Sequence, residues 1–582
     1  MTPLAIRRRE FRAGADWPAD LHPLLVRVYA ARGLVPEALA RSRLAHMVAP
    51  DAIGGMEQAA RVLADAIDRN LAICVVGDFD CDGATGTAVA VRGLRLLGAQ
   101  RISYRVPNRA REGYGLTPAL VESLAGANQP DLLLTVDNGI ASIAGVATAR
   151  QRGMRVVITD HHLPGAELPA ADAIANPVLD ARCAQPGDGH VPRHLAGVGV
   201  VFYLLLALRR HLRDAGRFVR SGSEPDLSAL LDLVALGTVA DLVPLDGNNR
   251  ILVAAGLRRI RAGRASPGVA ALFRAARRDP ARAVASDLGF ALGPRINAAG
   301  RLEDMRVGIE CLLADDPARA DALALQLSGI NGERQELQAA MVEEGEALVA
   351  TFLARHGNAG LPHGIVLHEP GWHPGVVGLV ASRLKERLHR PVIACAPAEP
   401  GSGELRGSAR SIAGFHLRDA LAEVDARCPG LLIRFGGHAM AAGLTMDTAG
   451  LARLAAEFDA VARERIGPGI LERIAWSDGE LEHDGFSLEA AHVIRYAGPW
   501  GQGFEEPAFD NDFALESWRV VGERHLKLKL RTAAGPLLDA IFFGGAEHGP
   551  PPPRLRALFH LDINEWNGRE SLQLLVRHIE PA

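Results

Sequence analysis

The chain is short of cysteine, of long apolar runs and of net positive charge. Its six cysteines (Cys74, Cys81, Cys183, Cys311, Cys395 and Cys428) are scattered and form no CxxC pair. That argues against a disulfide framework and a zinc ribbon, and fits a reducing, cytoplasmic setting. The longest uninterrupted apolar stretch, Val198 to Leu208, falls far short of the ~20 residues a membrane helix needs, so no membrane association is expected. Arg7-Arg8-Arg9 is followed by no apolar core, so a secretory signal is not expected. A net charge of −4 argues against a uniformly basic nucleic-acid binder, though not against local basic grooves. No internal repeat is present, and the low-complexity content is a single run, Pro550 to Pro553.

What is there is a large globular protein. With 582 residues, 48% of them hydrophobic and 23% charged, it has ample material for several cores. At roughly 150 residues per domain, three or four domains are expected. From about Leu71 to Ala175 apolar β-rich runs alternate with helical stretches. Leu71–Val76, Leu132–Val136 and Val156–Thr159 lack polar alternation, as strands buried on both faces of a parallel sheet do. The pattern predicts a doubly wound α/β layer, which binds ligands outside the carboxyl ends of its strands.

Three polar clusters sit at those ends. The first is Gly77-Asp78-Phe79-Asp80-Cys81-Asp82-Gly83, with three carboxylates in five positions; the others are Asp137-Asn138-Gly139 and Asp160-His161-His162. The first opens like an EF-hand loop, but Val89 stands where a bidentate Glu is required, and the loop follows a strand. Singly, Asp137 reads as a helix N-cap and the two histidines as a surface pair. Together, carboxylates with an imidazole suit Mn²⁺ or Mg²⁺ better than zinc. Five or six ligands exceed what one ion with open positions takes, so two ions sharing a bridging carboxylate are expected. Such a pair clamps both oxygens of a phosphoryl displacement and lowers the pKa of bound water.

Further along, Val198–Leu242 reads as helical. A charged amphipathic helix over about Ile330–Ala354 is expected to connect two lobes, and a glycine-rich α/β unit follows over Gly364–Gly443, with a helix over Val376–Leu388. The last ~115 residues read as a small β-barrel. His525–Arg531 alternates strictly, and Asn567-Gly568 predicts a type I′ hairpin turn.

The acidic loop, Asp137, Asp160-His161-His162 and Gly237-Thr238-Val239-Ala240-Asp241 resemble the four motifs of the DHH phosphoesterase superfamily. Pro107-Asn108-Arg109, Gly113-Tyr114-Gly115, Gly293 to Arg301, Trp372 to Gly378, Gly436-Gly437-His438 and Asn564 to Gly568 resemble, in order, the RecJ-type single-strand-specific exonucleases within it. The likeness runs from about Leu71 to Ala582. It implies an N-terminal helical extension over 1–60, a DHH domain over 61–325, a connecting helix over 326–355, a DHHA1 domain over 356–462 and an OB-like barrel over 463–582.

The resemblance also implies roles. Asp80, Asp82, Asp137, His161 and Asp241 match metal ligands for two Mn²⁺ or Mg²⁺ ions. Asp78 is a ligand or an outer partner, Asp160 orients a neighbouring histidine, and His162 contacts the scissile phosphate or assists proton transfer. Arg109 (with Arg111 as its alternative), Arg295, Asn297, Arg301, His373, Gly375, Ser408, Arg410 and His438 are expected to hold substrate. Arginine suits phosphate through its planar fork, and Arg295 and Arg301 are read as lying in a Gly/Pro/Asn-rich loop. Lys527 and Lys529 are expected single-strand contacts, against the plainer reading of protective edge charge.

The implied activity is 5′→3′ hydrolysis of single-stranded DNA to mononucleotides, in recombination and repair, by a monomer in the cytoplasm. A single-strand-binding protein and a RecQ-type helicase are the implied partners. The alternatives are a DHH phosphoesterase of short oligonucleotides or cyclic dinucleotides, and a non-catalytic DNA-binding scaffold.

Overall fold

The apolar runs without polar alternation become the interior of one parallel sheet. The computed structural model describes residues 4–582 apart from 12–15, 41, 108–113, 127, 180–191, 220–221, 357–361, 373–376, 400, 438, 468 and 534. Strands β1 (Ile73–Val76), β2 (Ile102–Arg105), β3 (Leu132–Val136), β4 (Arg155–Thr159) and β5 (Ala173–Ala175) lie in the order 2-1-3-4-5, and every neighbouring pair is parallel. Every residue of β1 and β3 is buried. Burying each such aliphatic side chain contributes about 1.5–3 kcal/mol. The strand order reverses between β1 and β3, so the crevice at their carboxyl ends is the expected ligand position.

Four helices position the residues around that crevice: α1 (Cys81–Leu96), α2 (Gly197–Asp214), α3 (Leu231–Ala240) and α4 (Gly293–Leu302). The stretch Val198–Leu242, read as continuously helical, is therefore two helices. Gly216 takes φ +75° just beyond α2, a conformation that ends helices. The Ser/Gly/Pro-rich residues that follow cannot extend it.

Two compact units divide the chain. The larger holds residues 10–334 and 480–582, and the smaller holds 1–9 and 335–479. The helix expected over Ile330–Ala354 runs from Pro317 to His356, and the division falls within it. The N-terminal extension is not purely helical. Leu4–Arg8 is a strand paired in parallel with Arg473–Ser477, and both belong to the smaller unit. The main sheet of that unit comprises Ile365–His368, Val392–Pro397, Glu404–Arg410, Ala441–Asp447 and Leu432–Gly437, neighbours in that spatial order. The first two are parallel and the rest antiparallel. The helix expected over Val376–Leu388 is Val377–Leu388.

The predicted barrel is a closed one of five strands: Phe509–Val521, His525–Arg531, Leu537–Phe542, Arg569–Pro581 and Arg554–Trp566. Leu526, Leu528 and Leu530 point inward from the alternating strand. At the predicted hairpin Asn567 and Gly568 both have positive φ (51° and 73°) between the paired residues Trp566 and Arg569, as a type I′ turn requires. The barrel belongs to the larger unit, where the Arg282 guanidinium lies 2.7 Å from Glu565 and 2.8 Å from Glu570 on two of its strands. The segment leading into it is held as well: Tyr29 Oη donates to Ala497 O at 2.9 Å, Leu245 N donates to Gln502 O at 2.7 Å, and the Arg250 guanidinium lies 4.1 Å from the Phe504 ring centre. Among the described residues no helix is long and apolar enough to cross a membrane.

Candidate metal centre

The acidic loop is short because β1 ends at Val76 and α1 begins at Cys81. Asp80 caps α1 by accepting from Gly83 N at 3.0 Å, and Asp82 lies in its first turn. Asp82 in turn receives two amides from the start of α2, Gly197 N at 2.6 Å and Val198 N at 2.8 Å. A helix N-terminus thus faces this carboxylate, which orients it and offsets part of its burial cost. Position 197 must be glycine, since a Cβ there would stand 2.5 Å from Asp137 Cβ. Asp137 follows β3 with φ +63°, a left-handed conformation of the kind found at functional sites. Asp241 is the C-cap of α3.

These elements bring the expected carboxylates and histidine together. His161 Nε2 lies 3.0 Å from Asp137 Oδ1, 3.6 Å from Asp241 Oδ2 and 3.9 Å from Asp82 Oδ2. Asp82, His161 and Asp241 offer atoms within 4.8 Å of one another; so do Asp78, Asp80 and Asp137, and Asp137, His161 and His162. Asp78 therefore stands with Asp80 and Asp137 in the second of two adjacent donor groups. Asp137 belongs to the group with Asp78 and also touches His161 of the first, where a bridging carboxylate would stand.

Asp78, Asp82 and Asp137 are almost wholly buried, and neither Asp78 Oδ1 nor Asp137 Oδ1 receives a hydrogen bond. Burial, with repulsion from Asp80, pushes the Asp78 and Asp82 carboxyls up to about 7. Burial and repulsion from Asp82 push Asp241 to about 9 and Asp137 well above its ordinary range. Buried like charges without donors are expensive unless a cation compensates them. The donor set, carboxylate oxygens with an imidazole nitrogen, fits a hard divalent ion.

Asp160 is different. Burial alone would raise its pKa, but the hydrogen bond from His162 holds it below the usual carboxylate value. Its Oδ1 lies 2.7 Å from His162 Nδ1 and accepts from His161 N and His162 N; its Oδ2 accepts from Ile140 N. It therefore holds the His162 ring and the loop that carries His161. Burial would lower the pKa of His162, but Asp160 raises it instead.

Other expected site residues behave less uniformly. Segment 293–302 is a helix, not a loop, so Arg295 and Arg301 lie on α4. Its glycines serve close packing: a Cβ on Gly300 would stand 1.9 Å from Phe79 O. Asn297 accepts from Cys81 N at 2.8 Å, so it holds the start of α1 and with it the acidic loop. Arg295 donates to Ser328 Oγ at 2.8 Å and Ala291 O at 2.5 Å, while Arg301 is exposed in the last turn. In the smaller unit Arg410 donates to Ser408 Oγ at 3.0 Å, and both face Gly378 at the start of Val377–Leu388. In the barrel Lys529 Nζ lies 2.9 Å from Asp539 Oδ1. Arg109, Arg111, His373, Gly375 and His438 lie outside the described residues.

Tyr114 carries no expected role from the sequence. Its ring stands edge-on to His162 at 6.2 Å and to Phe79 at 5.9 Å, and its hydroxyl donates to Asp137 O at 3.3 Å. Its place between two glycines was the available signal. The amides of Gly197 and Val198 carried no signal at all, because a backbone donor has no residue type.

Comparisons with known proteins agree with this arrangement. Residues 72–238 match the DHH family, N-terminal domain; 360–464 match the DHHA1 domain; and 477–578 match the RecJ OB domain. A Dickeya dadantii protein described as single-stranded-DNA-specific exonuclease RecJ is 49% identical over 579 residues, 99% of each chain. The Escherichia coli protein of the same description is 48% identical over 583 residues, again 99% of each. The crystal structure of RecJ from Thermus thermophilus in complex with Mn²⁺ matches with a TM-score of 0.75 at 32% identity, over 97% of this chain and 76% of that one.

Proposed function

The chain belongs to the RecJ family of exonucleases, and on that premise we propose that it hydrolyses single-stranded DNA from the 5′ end, releasing mononucleotides. The observation that carries the chemistry is the pair of adjacent donor groups, Asp82/His161/Asp241 and Asp78/Asp80/Asp137, at the switch point of the parallel sheet. Two divalent ions, Mn²⁺ or Mg²⁺, when bound there would supply the Lewis acidity that activates water and neutralises the phosphodiester oxygens. Polarity and strand specificity rest on family membership.

The chain's own residues supply the rest. The α2 amides hold Asp82, and Asn297 holds the amide at the start of α1, so the acidic loop keeps its shape before substrate arrives. His162, raised in pKa and fixed by Asp160, is suited to carry a proton next to the scissile phosphate and to deliver it to the leaving oxygen. Arg295 and Arg301 on α4, and Ser408 and Arg410 beside Gly378, serve as phosphate holders in their respective units. Arg109, His373, Gly375 and His438 keep the substrate roles that their motif positions imply. Lys527 and Lys529 serve as weak strand contacts on the barrel. Family membership also supports a cytoplasmic monomer that acts in repair and recombination beside a single-strand-binding protein and a RecQ-type helicase.

One assay tests the reading. Single-stranded DNA labelled at either end is incubated with Mn²⁺, beside a duplex control and cyclic di-AMP. Early release of the 5′ label as a mononucleotide, with duplex and cyclic dinucleotide intact, is the expected result. Turnover of the cyclic dinucleotide alone, or of no DNA, would overturn it.

A further inference from the structure

In the smaller unit's sheet the strands Glu404–Arg410, Ala441–Asp447 and Leu432–Gly437 have one apolar face and one polar face, whereas Val392–Pro397 is covered on the latter face by the helix Val377–Leu388. Leu405, Ala409, Ala442, Leu444 and Met446 are buried in the unit's core, and strand alternation turns the residues between them to the opposite face. The register sets those residues in rows. Arg406 lies beside Thr445, and Thr445 beside Arg434; Ser408 lies beside Gly443, and Gly443 beside Gly436. Arg406, Arg434, Gly436 and Gly443 are exposed. A Cβ on Gly436 would meet nothing within 4 Å, so the row beside Ser408, next to that of the two arginines, is open.

The guanidinium groups of Arg406 and Arg434 make no hydrogen bond or ion pair among the described residues. Other arginines of the unit are paired. Arg427 is held by Glu423 and Glu464, Arg463 by Asp459 at 2.9 Å, and Arg465 by Glu423 at 2.5 Å. Unneutralised guanidinium groups concentrated on one face favour an anion there. Arg406, Ser408 and Arg410 lie at every second residue of one strand, a spacing of about 6.6 Å. Donors repeated along a line suit an extended polymer with a regular row of phosphates better than a single small anion.

We propose that this face carries the sugar-phosphate backbone of the single-stranded substrate, with Arg406 and Arg434 neutralising phosphates beyond those held at Ser408 and Arg410. The proposal rests on the reading of the chain as a single-strand exonuclease. Arg406 binds in line with Ser408 and Arg410, and Arg434 binds a neighbouring phosphate across Thr445, beside the open Gly436/Gly443 row.

The test is steady-state cleavage of oligothymidylate by the full chain with Mn²⁺, across a salt series. In R406A/R434A, KM is expected to rise, and the slope of log KM against log salt to become shallower by about 1.4, two phosphates at about 0.7 each for a single strand. R406K/R434K is expected to keep most of the slope, which separates charge from any disturbance of the strand. An alanine pair with unchanged KM and slope, while the wild type cleaves, would overturn the proposal and leave the exonuclease reading standing. A wild type that cleaves no single strand would overturn that reading and this proposal with it.

Discussion

Charged side chains occupy the strand ends of the parallel sheet and the alternating strand of the barrel in opposite ways. At the strand ends Asp78, Asp82 and Asp137 are buried and crowd one another, and Asp78 Oδ1 and Asp137 Oδ1 receive no donor. On the barrel, Lys529 is half-exposed and paired with Asp539 from the neighbouring strand. The first arrangement is costly to the bare fold and makes sense only with a cation in it. The second is ordinary surface chemistry, worth about 0.2–1 kcal/mol. The lesson is that burial without a partner marks the functional charge, whereas a conspicuous sequence pattern does not by itself.

The largest effects should come from the strand ends. Asp82→Ala and Asp137→Asn are each expected to lower the cleavage rate on the order of 10⁴-fold, the scale seen when one member of a catalytic unit is lost. Near-normal turnover in either would remove that residue from the centre. Asp137→Asn should also stabilise the metal-free protein, because the carboxylate it removes opposes folding. A higher Tm for metal-free Asp137→Asn than for the metal-free wild type at pH 8, read by calorimetry, is the expected sign.

A smaller loss should follow Asp160→Asn. It contributes to neither donor group, yet it fixes His162 and the amides of His161 and His162. An outer partner of this kind is worth about 10–100-fold in activity or metal affinity. Without its carboxylate the His162 pKa should fall, so the pH–rate profile should shift towards acid. A rate loss with an unmoved profile would make Asp160 a purely structural residue.

The pH dependence of stability follows from the raised carboxyls. Asp78 and Asp82 titrate at about 7 and Asp241 at about 9 in the fold, against about 3.9 in the unfolded chain. Between those values the folded state binds more protons than the unfolded one. The stability of the metal-free protein is therefore highest below the unfolded value, and it falls as pH rises from about 4 until the folded values of about 7 and about 9 are passed. Metal must displace these protons, so the Tm gain on adding Mn²⁺ should grow from pH 6 to pH 9. A gain independent of pH would contradict the raised values. The smallest effect belongs to the barrel: Lys529→Ala should change stability by less than about 1 kcal/mol and the salt slope of binding by less than about 0.7. A larger loss would raise the barrel strand to the rank of a binding element.

The strand ends were legible in sequence because unalternating apolar runs followed directly by carboxylates report both the sheet and its crevice. The barrel was legible through the alternation of Leu526, Leu528 and Leu530 and through Asn567-Gly568. The segment 293–302 was misread because its glycines and Asn297 look like loop residues. Two of those residues are spent on long-range contacts, Gly300 against the Phe79 carbonyl and Asn297 on the Cys81 amide. Local propensity carries no record of such partners. The same holds for Leu4–Arg8, whose strand exists only through Arg473–Ser477. Lys527 and Lys529 stood out by pattern, but the pairing of Lys529 depends on Asp539, ten residues away across a turn.

The central claim is that the buried carboxylates and His161 form one centre for two divalent ions. Calorimetric titration of the metal-free chain with Mn²⁺ at pH 8, in two buffers of different ionisation enthalpy, tests it most directly. Two ions per chain bound with release of protons, and loss of at least one of them in Asp137→Asn, is the expected result. No saturable binding, or binding untouched by Asp137→Asn, would contradict it.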